Sequence, residues 1–543
     1  MLGIGTPLLW RNVTAESLLG LIDCAYLCWG PNDALFFIAF DAYTADNETF
    51  KRFHSYAPYV QNLEIYDGKY GCCYTVEGWN VLLNEIEVQG RPLLPNLKSL
   101  RFLNISPSHG FNELRWISVF ATPGVKEVSL VPSQPSPSGQ IPFSVGSTIL
   151  EALVDLCPNI QTLDLSTSDS CYPARFSDAR FRMALAHRPT RPWYQELRRL
   201  TQLRHLTISE GWLYPDCFQI LGCLPELESL AIIPGQLDEF DYAFEMNPVL
   251  PNGSFDRLTN LSILGLESYG IEAILEVKDI FRQITTMKLE FYFDEPEGYA
   301  DGKYLGIQGI FKGLRNASYL RELHISFPFQ PEEGERPANA YHVMEDMGLH
   351  PFLESVHLDG IRIDKGYRRA CHAIRDLAAI WPNVHTLSMP SQHASIRDLE
   401  DFATLPSLRH LTVKLDLKYP YLPTKPEFKI APLKSLTSSG PVRLSATYKH
   451  LSLSADALLR LWPSLQHVTW TDEDTSRMEM AHFFNSQVLP FSRKCPFGTP
   501  RRAQLPATRK ARKMKAFFKL ILEDLEEADS DSDPDSDSDT EEY

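Results

Sequence analysis

Between about residue 58 and residue 470 one spacing of apolar side chains recurs: an apolar residue, two variable residues, an apolar residue, one variable residue and a third apolar residue. Two apolar positions separated by a single polar one are what a strand needs when only one of its faces is buried. The spacing occurs at Val60-Leu63-Ile65, Leu97-Leu100-Phe102, Val125-Val128-Leu130, Ile160-Leu163-Leu165, Leu203-Leu206-Ile208, Leu227-Leu230-Ile232 and Leu261-Leu264-Leu266. It continues at Ile284-Met287-Leu289, Leu320-Leu323-Ile325, Leu353-Val356-Leu358, Val384-Leu387-Met389, Leu408-Leu411-Val413 and Leu465-Val468-Trp470, 13 matches in all. In nine of the 13 a proline stands two residues before the first apolar position, as at Pro58, Pro158 and Pro382, where chance predicts about one. Proline ends a helix and biases its predecessor towards extended backbone, so it separates a helix from the strand after it. Helix-period segments precede several of these prolines, for example Ile149-Leu150-Leu153-Leu156 before Pro158 and Ala370-Ile374-Leu377-Trp381 before Pro382.

Each unit therefore reads as helix, turn, short strand, and the alternation requires a parallel sheet. Steps of 23 to 43 residues between units fit stacked repeats, and the one gap of 57 residues, from Leu408 to Leu465, has room for a degenerate strand at Leu433-Leu436. The pattern resembles the leucine-rich-repeat family in an irregular, long-repeat form. That resemblance implies an α/β solenoid of horseshoe shape, with parallel strands on the concave face and helices on the convex face.

Upstream, Pro7-Leu8-Leu9-Trp10-Arg11-Asn12-Val13 resembles the closing stretch of the F-box motif, which runs Pro-x-Leu-Trp before adjoining repeats. In that family the motif binds a Skp-type adaptor and brings the cargo of the repeats to a cullin-RING ubiquitin ligase. Carried over, the adaptor-binding positions are Pro7, Leu9 and Trp10, and the earlier helices of the motif have no counterpart in this sequence. The resemblance as a whole is to the F-box-like proteins with irregular leucine-rich repeats found in large fungal sets. The same apolar residues also suit the capping of an exposed solenoid end. The chain divides into an N-terminal cap with a remnant F-box end (1–50), the repeat solenoid (51–480), a basic linker (481–508), an amphipathic helix (509–527) and a disordered acidic tail (528–543).

Composition agrees with a folded body: of 543 residues, 44% are hydrophobic and 22% charged. No run of about 18 uncharged apolar residues exists, which argues against a membrane span. The first residues lack a signal peptide's basic and apolar regions, so the ten cysteines read as reduced thiols and the expected site is cytoplasmic or nuclear. The net charge of −17 is uneven: residues 523–543 hold 12 Asp/Glu and no Lys/Arg, whereas 493–522 hold 10 Lys/Arg and no Asp/Glu. An acidic body gives no electrostatic reason to expect nucleic-acid binding. The cluster Arg509-Lys510-Ala511-Arg512-Lys513 has the composition of a nuclear-import signal and equally of a solvated linker. Ser530, Ser532, Ser536 and Ser538 each precede an acidic residue by three positions and resemble sites for an acidophilic kinase, in a tail that could equally serve only for solubility.

The search for chemistry is negative: H-E-x-x-H, G-x-S-x-G, a Walker loop, G-x-G-x-x-G and C-x-x-C are all absent, so no catalysis, cofactor or metal is expected. The mechanism implied is recruitment of a protein cargo, on the concave face or its rim. Variable strand positions supply the candidate contacts: His205, Glu290, His324, His357 and His410, a pH-sensitive strip if they share one row. Ordinary solvated side chains would satisfy the same positions. Residues 291–304 and 328–341, just after strand ends, are expected to project from one rim.

Overall fold

The computed structural model describes residues 6–494 apart from 31–34, 44–47, 67–72, 106–110, 132–140, 169–192, 210–214, 235–249, 267, 292–304, 328–337, 340–343, 364–372, 419, 424–430, 441, 445–447 and 471–480. The amphipathic helix, the acidic tail with its four serines, and nearly all of both rim segments thus lie outside the described residues. The chain forms two compact units, residues 1–320 and 321–543.

The first unit is built on nine parallel strands, each hydrogen-bonded to the next: β1 (Asn12–Thr14), β2 (Asn62–Ile65), β3 (Ser99–Phe102), β4 (Glu127–Leu130), β5 (Thr162–Leu165), β6 (His205–Ser209), β7 (Ser229–Ile233), β8 (Asn260–Leu266) and β9 (Thr286–Phe291). The second has six: β10 (Glu322–Ser326), β11 (Ser355–Asp359), β12 (Thr386–Ser395), β13 (His410–Leu417), β14 (Ser435–Ser438) and β15 (His467–Trp470). Helices alternate with the strands, among them Phe143–Leu156 before β5 and Tyr448–Leu461 before β15. Each unit is a leucine-rich-repeat α/β solenoid. The predicted degenerate strand at Leu436 is β14.

Counting the first apolar residue of the repeat as position 1, positions 1, 4 and 6 are buried in repeat after repeat, as in Ile160, Leu163 and Leu165 or Leu408, Leu411 and Val413. Position −2 is a further core position. Leu94, Cys157, Phe255, Trp381 and Trp462 occupy it, all buried, and its carbonyl accepts the N–H of position 1, as from Ile160 to Cys157 and from Leu465 to Trp462. This closes a four-residue turn whose second residue is usually the proline, where a fixed φ near −65° is required anyway. The proline rule is therefore a turn rule. At position 0 an Asn or Ser joins successive turns: Asn96 Nδ2 donates to the Pro58 carbonyl at 2.7 Å, Asn383 Nδ2 to Pro351 at 2.7 Å and Ser407 Oγ to Pro382 at 3.1 Å.

Three features of the structure bear on the expected register and bounds, the first of them as a correction. First, the repeat at β8 uses Leu258, Leu261 and Ile263, not Leu261-Leu264-Leu266: Leu261 pairs with Leu230 and Met287, and Ile263 with Ile232 and Leu289. Leu258-Leu261-Ile263 and Leu261-Leu264-Leu266 both satisfy the spacing, and only the first closes the Phe255-to-Leu258 turn. Second, the parallel ladder begins inside the expected cap, since β1 pairs with Asn62–Glu64 and makes Trp10-Val13-Ala15 a first repeat. Third, the opening of the expected basic linker is helical. A π turn at Phe484–Val488 leads into a helix at Leu489–Lys494, and Phe484, Val488, Leu489 and Ser492 are buried. Its Asn485 carboxamide closes the ladder: the Val468 N–H donates to Oδ1 at 2.7 Å, and Nδ2 donates to the Val468 and Ala481 carbonyls. One side chain thereby substitutes for the strand that would follow β15, whose free edge would otherwise expose these groups.

Candidate binding surface on the outward strand faces

Positions 3 and 5 are the outward positions that all the strands share, register places them in two rows, and longer strands add Glu290, Asp359, Lys414 and Asp416 beyond them. Leu63, Leu100, Val128, Leu163 and Leu206 are paired in sequence, so Glu64, Arg101, Ser129, Asp164 and Thr207 form one row and Asn62, Ser99, Glu127, Thr162 and His205 the other. In the first unit five of these 18 positions carry a formal charge, namely Glu64, Arg101, Glu127, Asp164 and Lys288. Most are engaged locally. Arg101 Nε donates to Glu127 at 2.7 Å, Thr207 Oγ1 to Asp164 at 2.6 Å, and Lys288 Nζ lies 3.6 Å from Glu290.

In the second unit the rows are Glu322, Ser355, Thr386, His410, Ser435 and His467, and His324, His357, Ser388, Thr412, Thr437 and Thr469. Glu322 is the one formal charge among these 12 positions; seven are hydroxyls and four are imidazoles. His324 and His357 are direct cross-strand neighbours with ring centroids 5.6 Å apart and planes tilted by 32°. Burial lowers the His357 pKa from its ordinary value; the neighbouring His324 adds to this, and Asp359 opposes it. His410 Nδ1 lies 2.7 Å from Ser435 Oγ, and Thr437 and Thr469 share a hydrogen bond of 2.9 Å.

The five expected contact residues do not form one strip. His324 and His357 adjoin at position 5, whereas His410 stands at position 3 of a different strand. His205 is at position 3 of the first unit, exposed between Thr162 and Ser229, and Glu290 lies beyond position 6 of β9, where it pairs with Lys288. Spacing within each repeat puts these residues on the outward side, and the pairing shows which of them are neighbours.

At the N-terminus, Trp10 takes position 1 of the first repeat and stacks on Tyr56 with centroids 4.4 Å apart and planes at 25°. The repeat itself therefore accounts for Trp10. Pro7 is exposed, and Leu8 and Leu9 are 72% and 77% exposed, so neither leucine caps the core.

Thiol chemistry is not favoured at Cys157 and Cys217: burial raises the Cys157 pKa to about 12 and that of Cys217 further. Among the described residues no cluster of three or more His, Cys, Asp or Glu could hold a metal ion, and no helix is long and apolar enough to cross a membrane. A cavity of about 270 Å³ beside Tyr448–Leu461 is lined by Leu422, Asp456, Leu459, Arg460, Pro463, Ser492 and Arg493. It brings a serine together with one carboxyl and two guanidiniums.

No family model matches the chain, and no curated protein matches it. Among solved structures it is similar to an internalin from Listeria monocytogenes, 13% identical over 64% of this chain and 76% of that one with a TM-score of 0.31. It is also similar to the TLR13–ssRNA13 complex, 12% identical over 79% and 62% with a TM-score of 0.32. A third is the leucine-rich repeat domain of APL1B, 11% identical over 79% and 85% with a TM-score of 0.24. The repeat assignment itself rests on the ladder and its buried positions.

Proposed function

We propose that the chain is a protein-binding scaffold without catalysis of its own, and that its partner seats on the outward strand face of the second unit. The observation that carries this reading is the near absence of charge on positions 3 and 5 from β10 to β15. Covering a charged face removes ions from water at a cost of several kcal/mol each unless new pairing replaces it, and charged residues are depleted from the centres of protein interfaces. Hydroxyls and imidazoles cost less to cover and offer both donors and acceptors. To test this, protein recovered with the chain from its own cells is compared with that recovered by a His324→Asp/His357→Asp variant. The proposal expects selective loss of a bound protein while the melting temperature stays within a few degrees; full retention would count against this face.

A second reading, in which the chain delivers its cargo to a cullin-RING ubiquitin ligase through a Skp-type adaptor, is favoured by the exposed Leu8 and Leu9 beside Trp10. Because Trp10 is part of the first repeat, its replacement would confound binding with folding. The useful variant is Leu8→Asp/Leu9→Asp: adaptor that co-elutes with the wild type and not with this variant supports the reading, and adaptor that co-elutes with neither rejects it. A cytoplasmic or nuclear site of action belongs to either reading. Phosphorylation of Ser530, Ser532, Ser536 and Ser538 would add negative charge to an already acidic tail.

A further inference from the structure

A second surface emerges at position 2, which lies at the turn where each strand begins. Its carbonyl accepts two N–H groups of the following repeat: Arg11 from Gln61 and Asn62, Gln61 from Lys98 and Ser99, Lys98 from Lys126 and Glu127, and Lys126 from Gln161 and Thr162. Gln161 and Arg204 continue the series. Position 2 residues are thus locked at one level across β1 to β6. In order they are Arg11, Gln61, Lys98, Lys126, Gln161 and Arg204: four cations, two amides and no acid, in a chain of net charge −17.

All four cations are exposed. Arg204 reaches Glu228 of the next strand at 3.4 Å, whereas Arg11, Lys98 and Lys126 make no ion pair among the described residues. The adjoining position 3 contributes one carboxylate along this stretch, Glu127, and Arg101 engages it. With about 4.8 Å between strands, five steps separate Arg11 from Arg204 by about 24 Å, the span of about seven residues of extended chain.

We infer that this row is a docking surface for an acidic segment of a partner protein, lying extended across β1 to β6 along the strand-entry edge. The cations take its carboxylates, and the Gln61 and Gln161 amides suit its backbone groups. A polypeptide fits better than a nucleic acid. Phosphates repeat densely and would also be laid near Glu64 and Asp164 in the row at position 5, whereas a short acidic peptide need cover only position 2. The surface is separate from the strand face of the second unit, so either assignment can fail alone.

The test is fluorescence anisotropy of a labelled glutamate octapeptide with the full chain at low and raised salt, beside a glutamine octapeptide and an eight-nucleotide single-stranded DNA. The glutamate peptide should bind, lose affinity as salt rises, and lose about tenfold in Lys98→Glu/Lys126→Glu. The exposed control Lys278→Glu/Lys312→Glu should bind within twofold of wild type, with circular dichroism melting confirming that both variants fold. Unchanged binding in Lys98→Glu/Lys126→Glu overturns the proposal, as does tighter binding of the DNA through the same residues. A third arm replaces the 12 acidic residues of 523–543 by their amides. If the peptide binds only then, the occupant is the chain's own tail and the partner assignment is wrong.

Discussion

The two units share one interior and differ in what they show to solvent. In both, positions 1, 4 and 6 place mostly buried apolar side chains beneath a parallel ladder. At positions 3 and 5 the first unit carries charges such as Arg101 and Glu127 that neutralise each other, while the second carries imidazoles and hydroxyls with Glu322 as the single formal charge at those positions. The interior is fixed by what a repeat needs to stack; the outward positions are free to vary, and their contrast is where function is to be sought.

The largest expected effect tests the shared interior. Leu163→Ala in the first unit and Leu411→Ala in the second, both fully buried at position 4, should each lower stability by about 2–5 kcal/mol in denaturant titration. A change near zero in one unit would break the claim of common construction. Next comes the closure of the second ladder. Asn485→Ala leaves the Val468 N–H and carbonyl without their partner and should lower stability by about 1–3 kcal/mol, with the Val468 amide exchanging faster while Leu163 is unaffected.

Smaller effects address the contrast itself. His357 has a lowered pKa in the folded chain, so the unfolded state binds more protons over the window just below 6.5. Its neutral form therefore contributes stability that is present above 6.5 and lost as pH falls through that window. Melting curves of His357→Gln should show a shallower loss between pH 7 and pH 5 than wild type, and an identical slope would contradict the shift. Least of all, Glu127→Gln should cost at most about 1 kcal/mol, and that cost should shrink in high salt because the pair it breaks is solvent-facing. No such salt dependence is expected for Thr412→Val.

How much of this was legible beforehand follows from what each residue answers to. Leucines at strand positions answer to burial, a local periodic signal, so the 13 matched segments all became strands and even the degenerate one at Leu436 was anticipated. Register answers to the turn before the strand. At β8 four leucines and Ile263 fit two registers, and the decisive residue, Phe255 at position −2, has no proline after it to mark the turn. Reading position −2 as apolar would have found it. The cap at Asn485 has a helical apolar signal in Phe483-Phe484 and Val488-Leu489, which the dense basic residues after 493 mask. Trp10 answers to two signals at once, the short resemblance that covers it and the repeat spacing Trp10-Val13-Ala15, and the pairing of β1 shows the second. Of the outward histidines, spacing already separates His324 and His357 at position 5 from His205 and His410 at position 3, and the pairing adds that the first two are direct cross-strand neighbours.

The most direct test of the central claim is site-specific photo-crosslinking in cells, with a photoreactive amino acid in place of Thr412 on the second unit's face or Thr207 on the first. The account predicts a discrete protein adduct from position 412 that disappears with His324→Asp/His357→Asp, and little or none from position 207. Adducts from position 207 alone, or adducts from position 412 that persist in the variant, would contradict it.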